Sequence, residues 1–274
     1  MKSIAVLTSG GDAPGMNAGI RATVRTAISR GLSVYGVKRG YQGLIENDIL
    51  PMSSRDVSNI LQRGGTILHS ARSEAFRTPE GRARAAENLE KRNIDGLIVF
   101  GGDGSFRGAN DLHREHGVRV VGAPATIDND IWGSDFTIGF DTAVNTALEA
   151  IDKVRDTAAA HDRLFIVEVM GRHAGFIALE VGIGTGAEGI LIPETKTDIP
   201  GIVSKLQTRI EGGRTSSILV VAEGDEEGNA YEIAEKIEKI SGLKSRVTVL
   251  GHVQRGEAPP LRTGCLPRNW ATPG

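Results

Sequence analysis

Short apolar runs recur along the chain, each followed by a glycine-bearing polar turn and then by a segment with helical spacing. Ile4–Leu7 leads into SGGDAPGMN and a helix to about Arg30, stopped by Gly31. Ile94–Phe100 leads into GGDGS and another helix, and Arg119–Gly122 leads into PATIDND. The later runs are Leu164–Val169 before MGRHAG, Ile190–Ile192, Ile218–Ala222 before EG, and Val247–Leu250 before GHVQRG. Thr142–Arg155 places Val144, Leu148, Ile151 and Val154 near one helical face. Thr78, Pro79 and Glu80 read as N-cap, first helical position and acidic first turn. Ile233, Ile237 and Ile240 form a stripe that ends at Gly242. Strands alternating with helices predict an α/β protein with mainly parallel sheets. In such sheets ligands bind beyond the carboxyl ends of the strands, where these glycine turns fall.

Composition narrows the class. The chain has 274 residues, enough for one large domain or two modest ones. Its 36 glycines are about twice the usual share, and many follow apolar runs where a backbone approaches a ligand closely. A formal net charge of -2 argues against a nucleic-acid or membrane-surface protein. The single cysteine, Cys265, excludes a disulfide framework. The apolar run after the N-terminal lysine is too short for a signal-peptide core or a membrane span, so a cytoplasmic location is expected.

The chemistry concentrates in the turns. GGDGS at 101–105 lies between a strand and a helix N-terminus, where main-chain N–H groups face an anion. Asp103 adds a hard oxygen suited to Mg²⁺. The competing reading is a purely structural turn. SGGDAPG at 9–15 forms a second such loop. In TIDND, Asp128 and Asp130 stand two apart, and in extended backbone they would point the same way. Phosphoryl transfer needs a base for the acceptor hydroxyl, a metal and positive charge. Asp128 would take the proton and Asp130 act near the metal, unless both are Asx-turn or capping carboxylates. Arg72, Arg77, Arg163, Arg172, Arg246 and Arg255 lie in or beside glycine-, histidine- or strand-end segments, where guanidinium forks suit phosphate. Any one of them alone reads more readily as a solvated surface residue, and His252 alone as a structural histidine.

TSGGDAPGMN (8–17), QRGGTILHSAR (62–72), GGDGSFRGA (101–109), PATIDND (124–130), IGFDTAVNTALEAID (138–152), EVMGRHAGFIAL (168–179), AEG (222–224) and VTVLGHVQRG (247–256) together resemble the ATP-dependent phosphofructokinase family, in order and spacing, from residue 1 to about 256. The resemblance implies two Rossmann-like three-layer α/β/α domains with the active site in the cleft between them. Residues 1–138 plus about 253–274 would bind ATP, and 139–252 would bind fructose 6-phosphate.

It further implies that Gly11, Arg72, Ser73, Gly102, Asp103, Gly104 and Ser105 hold ATP, with Mg²⁺ on Asp103, and that Tyr41, Phe76, Arg77 and Gly108 border the nucleotide. Asp128 would accept the proton of the sugar's 1-hydroxyl. Thr126, Met170, Gly171, Arg172 and Glu223 would hold the sugar and the transferring phosphoryl group. His252 and Arg255 would bind the 6-phosphate with Arg163 and Arg246 of a neighbouring subunit, which implies a homotetramer. Pyrophosphate-using relatives carry a bulkier acidic residue where Gly104 stands and a lysine where Ala125 stands, so ATP is the expected donor. Arg21 and Arg25 share one helix face. With Arg55, Arg155, Gly186, Glu188 and Arg214 they match an effector site for ADP or phosphoenolpyruvate, although Gly212 and Ser216 replace basic residues beside Arg214 in many members.

One departure remains. After GHVQRG the resemblance would continue with GGSP-like residues and a long helix. The sequence instead reads EAPPLRTGCLPRNWATPG, with four prolines and the only cysteine. A reading-frame shift or sequencing error is the expected cause, and a non-catalytic truncated chain the competing outcome. Lipid and NAD kinases also use GGDG loops but lack the SGGDAPGMN opening and MGRHAG.

Overall fold

The computed structural model describes residues 1–161, 163–214, 216–256 and 258–260. The replaced-tail expectation lies almost wholly outside them. The chain divides into two compact units, Met1–Thr142 with the described residues from Arg255 onward, and Ala143–Gln254.

In the first unit the elements run β1 (Ser3–Thr8), α1 (Met16–Ser29), β2 (Ser33–Val37), α2 (Gly40–Glu46), β3 (Ile49–Met52), α3 (Pro79–Lys91), β4 (Gly96–Gly101), α4 (Asp103–His116), β5 (Val120–Thr126) and β6 (Ile138–Gly139). The sheet order is β3-β2-β1-β4-β5-β6, parallel except for the β2–β3 pair. Ala5, Leu7, Leu97 and Val99 point to one face and form a core with α2, α3 and α4. Phe100 points to the other, where Gly19 of α1 lies against its ring. Helices therefore cover both faces, and the order reverses between β1 and β4. That reversal is where a doubly wound sheet leaves room for a ligand.

α5 (Phe140–His161) passes from the first unit into the second, which continues β7 (Leu164–Val169), α6 (Phe176–Thr185), β8 (Gly189–Leu191), α7 (Ile199–Glu211), β9 (Ser217–Ala222), α8 (Ala230–Ser241) and β10 (Ser245–Val249). Its all-parallel sheet has the order β10-β7-β9-β8. Leu164, Ile166, Leu219 and Val221 pack against α7 and α8. On the opposite face Gly182 of α6 meets the Ile190 side chain. The reversal here falls between β7 and β9.

Thr78 caps α3 as its sequence predicts, accepting the Gly81 N–H at 3.1 Å, with Pro79 in the first turn. Thr78→Ala should lower stability by about 1 kcal/mol, read as a shifted urea midpoint with an unchanged slope. Two predicted faces differ from the observed ones. In α5 the most buried face is Ala143, Ala147, Ile151 and Ala158, with Val144, Leu148 and Val154 only partly covered. Small side chains allow the closest helix approach, so the alanines take the centre and the bulkier residues flank it. In α8, Ile233 and Ile237 are buried, but Ile240 in the last turn is 53% exposed.

Candidate functional site

The two glycine loops of the first unit meet at the reversal of its sheet. The Ser9 N–H donates to the Phe100 carbonyl at 2.9 Å. Gly101 can carry no side chain, because a Cβ there would lie 2.7 Å from the Ser9 carbonyl oxygen and press on Ser105. Gly10 takes a left-handed conformation (φ 87°), with Ser105 Oγ 3.5 Å from where its Cβ would be. Asp103 and Gly104 open α4 and are exposed, whereas Ser105 is buried. The Asp103 carboxylate pairs with Arg107 one turn on at 2.8 Å.

Strand β5 runs parallel beside β4 in the register Gly101↔Pro124, so TIDND emerges at the same sheet edge as GGDGS. A Cβ on Gly102 would lie only 3.6 Å from Thr126 Cβ. Asp128 is 6% exposed, and its N–H donates to Thr126 Oγ1 at 3.2 Å. The shape of this turn departs from the sequence expectation. Asn129 is left-handed (φ 54°), so the backbone between the two aspartates is not extended, and Asp128 turns inward while Asp130 is exposed. Asn129 is held there by its side chain: Oδ1 accepts the Thr137 N–H at 2.8 Å, and Nδ2 donates to the Asp135 carbonyl at 3.2 Å. The buried Thr137 hydroxyl donates to the Thr126 carbonyl at 2.6 Å. Neither Asn129 nor Thr137 stood out in the sequence, because a positioning role leaves no charge or spacing pattern.

Tyr41 and Phe76 are stacked at 3.9 Å with ring planes 7° apart, and both are buried. The Tyr41 hydroxyl donates to the Ser105 carbonyl at 2.6 Å, and burial raises its pKa. A Cβ on Gly108 would lie 3.1 Å from the Phe76 ring. The pair thus packs beneath α4 and braces the GGDGS turn from inside the core. Ser73 donates to Gln42 at 2.7 Å, while Arg72 and Arg77 are exposed. Arg77 pairs with Glu74 at 3.2 Å. The Arg255 guanidinium lies against Gly11 and donates to the Asp12 carbonyl at 3.2 Å, so it joins the first glycine loop.

In the second unit the residues after β7 and β9 come together. The Met170 N–H donates to the buried Gln254 side chain at 2.9 Å. Gly171 (φ 146°) and Arg172 (φ 56°) turn the chain sharply. The Arg172 N–H is held by Glu223 at 2.7 Å, and the Glu223 N–H donates to the Val169 carbonyl at 3.0 Å. A side chain on Gly224 would strike the Arg172 carbonyl. The Arg172 and His252 side chains are exposed. Arg163 and Arg246 sit at the amino ends of β7 and β10, the opposite edge of the same sheet. One strand length of about 20 Å separates them from Arg172 and Glu223.

A second depression of about 550 Å³ in this unit is lined by Arg155, Gly186, Glu188 and Arg214 among others. It also contains Arg209, which the sequence reading missed. Arg155 donates to the Thr185 carbonyl at 2.6 Å, and Arg209 pairs with Glu188 at 2.8 Å. In the first unit Arg21 donates to the Val57 carbonyl at 2.7 Å, while Arg25 and Arg55 are exposed.

Two doubly wound α/β units, with glycine turns and charged side chains at the carboxyl ends of their strands, define a class of protein built to hold phosphorylated ligands. Within that class the chain belongs to the phosphofructokinase family, whose family model matches residues 3–266. It is 57% identical over 266 residues to ATP-dependent 6-phosphofructokinase 1 of Thermus thermophilus, covering 97% of this chain and 83% of that one. It is likewise 57% identical over 259 residues to the ATP-dependent 6-phosphofructokinase of Oceanobacillus iheyensis, covering 94% and 80%. The structure of phosphofructokinase from Saccharomyces cerevisiae superposes with a TM-score of 0.93 at 38% identity. That match covers 99% of this chain and 41% of the yeast chain, so the present chain spans about two fifths of it. No helix among the described residues is long and apolar enough to cross a membrane.

Proposed function

We propose that the chain transfers the γ-phosphoryl group of ATP to the 1-hydroxyl of fructose 6-phosphate, giving fructose 1,6-bisphosphate and ADP in glycolysis. One observation carries the reading: a buried carboxylate at 128 and the GGDGS turn leave neighbouring strand ends, with Gly102 against Thr126. Transfer of a phosphoryl group needs a base and a cradle for phosphates side by side. Asp128 takes the proton as the sugar oxygen bonds to phosphorus and the bond to the ADP oxygen breaks. Thr126 orients the Asp128 backbone. Gly11, Arg72, Ser73 and the 102–105 turn hold the nucleotide.

Met170, Gly171, Arg172 and Glu223 hold the sugar, with the Arg172 guanidinium stabilising charge that develops on the transferring group. Tyr41, Phe76 and Gly108 act by supporting the turn from below, with Arg77 at the exposed rim. Among the described residues no cluster of three metal-ligating side chains occurs. Mg²⁺ keeps waters and substrate phosphate oxygens and needs only one or two carboxylates from the protein. Asp103 and Asp130, both exposed, are the residues that would hold it. When bound it supplies charge neutralisation on the phosphates.

Arg163 and Arg246 bind the 6-phosphate with His252 and Arg255 only by reaching the site of another copy. Their position at the far edge of their own sheet supports that reading. The working form is then a homotetramer in the cytoplasm. Gel filtration should give a mass of about four times 29.1 kDa, and a monomeric active enzyme would contradict the shared site. Arg21, Arg25 and Arg55, together with the Arg155–Gly186–Glu188–Arg214 depression, take ADP or phosphoenolpyruvate as effector. An aldolase-coupled assay on the purified chain tests the main reading. Fructose 1,6-bisphosphate formed from ATP supports it. A folded protein that is silent with ATP, or active only with pyrophosphate, overturns it.

A further inference from the structure

We propose that Arg209, at the end of α7, is a phosphate-binding residue of the effector depression, replacing charge that its rim lacks. The inference rests on the effector reading above and adds to it a residue that motif resemblance does not reach. Among the described residues that line the depression, Arg155, Arg209 and Arg214 are basic and Glu188 alone is acidic. Both oxygens of that carboxylate are engaged: one by Arg209 at 2.8 Å, the other by the Ile218 N–H at 2.6 Å. The excess positive charge is therefore not neutralised from within.

Local backbone geometry explains why Arg209 and Arg214 act together. After α7 ends, Gly213 is left-handed (φ 82°) and the chain folds back, so that the Arg214 N–H donates to the Arg209 carbonyl at 2.9 Å. The two side chains then line one cavity although five positions separate them in sequence. Gly212 and Ser216, beside Arg214, carry no charge. A guanidinium anchored through one edge by a carboxylate is restricted in orientation, so little freedom is lost when it meets an anion. Net positive charge in a depression of about 550 Å³ suits a phosphate dianion, either the diphosphate of a nucleotide or the phosphate of a small acid.

Calorimetric titration of the purified full chain separates these cases, using ADP and phosphoenolpyruvate as individual probes. Whichever probe binds the unaltered chain should bind Arg209→Ala about 10- to 100-fold more weakly, the usual weight of one charge-assisted hydrogen bond. Gly212→Arg added to Arg209→Ala should restore part of the affinity. Position 212 tolerates a side chain, because a Cβ there comes no closer than 3.4 Å to the nearest carbonyl oxygens. Melting of the unliganded variants is the control for folding. Unchanged affinity in Arg209→Ala overturns the inference and leaves the effector reading standing. So does a loss that Gly212→Arg fails to restore when unliganded melting also falls, since Arg209 would then only support the fold. Absence of binding of both probes to the unaltered chain overturns both readings.

Discussion

Asp128→Asn should lower kcat for fructose 6-phosphate phosphorylation by about 10²- to 10⁴-fold, the usual worth of a positioned general base. The substitution keeps the shape of the side chain and the backbone N–H that donates to Thr126, so the turn retains its geometry. What disappears is the oxygen that takes the proton from the attacking hydroxyl. KM for both substrates should change little, because this interaction strengthens only as the proton moves. Stability should change little, since Asn matches Asp in size at a position that is 6% exposed. Steady-state kinetics with a thermal melt of the same preparation check both halves. A variant that melts normally and retains most of its kcat would remove Asp128 from the chemistry.

Gly104→Asp should separate nucleotide use from folding. A Cβ at Gly104 meets nothing within 4 Å, so the fold itself places no demand for glycine there. Gly101 differs, because packing against Ser9 and Ser105 excludes any side chain. An acidic residue in the first turn of α4 should even support the helix slightly, by roughly 0.3–1 kcal/mol. A carboxylate roughly 5 Å from a phosphate, at an effective dielectric near 20, costs about 3 kcal/mol. That corresponds to a fall of about 100-fold or more in kcat/KM for ATP, with Tm unchanged or higher. Turnover with pyrophosphate should suffer less, since that donor has no α-phosphate or nucleoside to accommodate. Equal loss with both donors, or a lower Tm, would mean that Gly104 serves the backbone and not the ligand.

Much of the architecture was legible in one dimension. Ile4–Leu7, Leu164–Val169 and Ile218–Ala222 are largely buried strands followed by glycine turns, and runs of four to six apolar residues ending in such turns suit strands better than helices. The N-cap of α3 and the Gly242 stop of α8 are likewise local chemistry, decided within a turn. By contrast α6, FIALEVGIGT, has apolar residues all round and no polar face, so its periodicity carries no signal. β2 and β3 are short, and only pairing with β1 and with each other makes strands of them.

The order of residues along the chain determined the alternation of strand and helix, the glycine turns at strand ends, and the residue types available for handling phosphate. Those features depend on neighbours within a few positions, so one dimension suffices. Only the tertiary structure decided that Asp128 faces inward while Asp130 is exposed, that Arg163 and Arg246 stand a strand length away from Arg172, and that Arg209 shares a cavity with Glu188 and Arg214. Each of these turns on a left-handed residue or on strand order. One rotated backbone unit, or one crossover, redirects side chains in ways that spacing along the chain does not record.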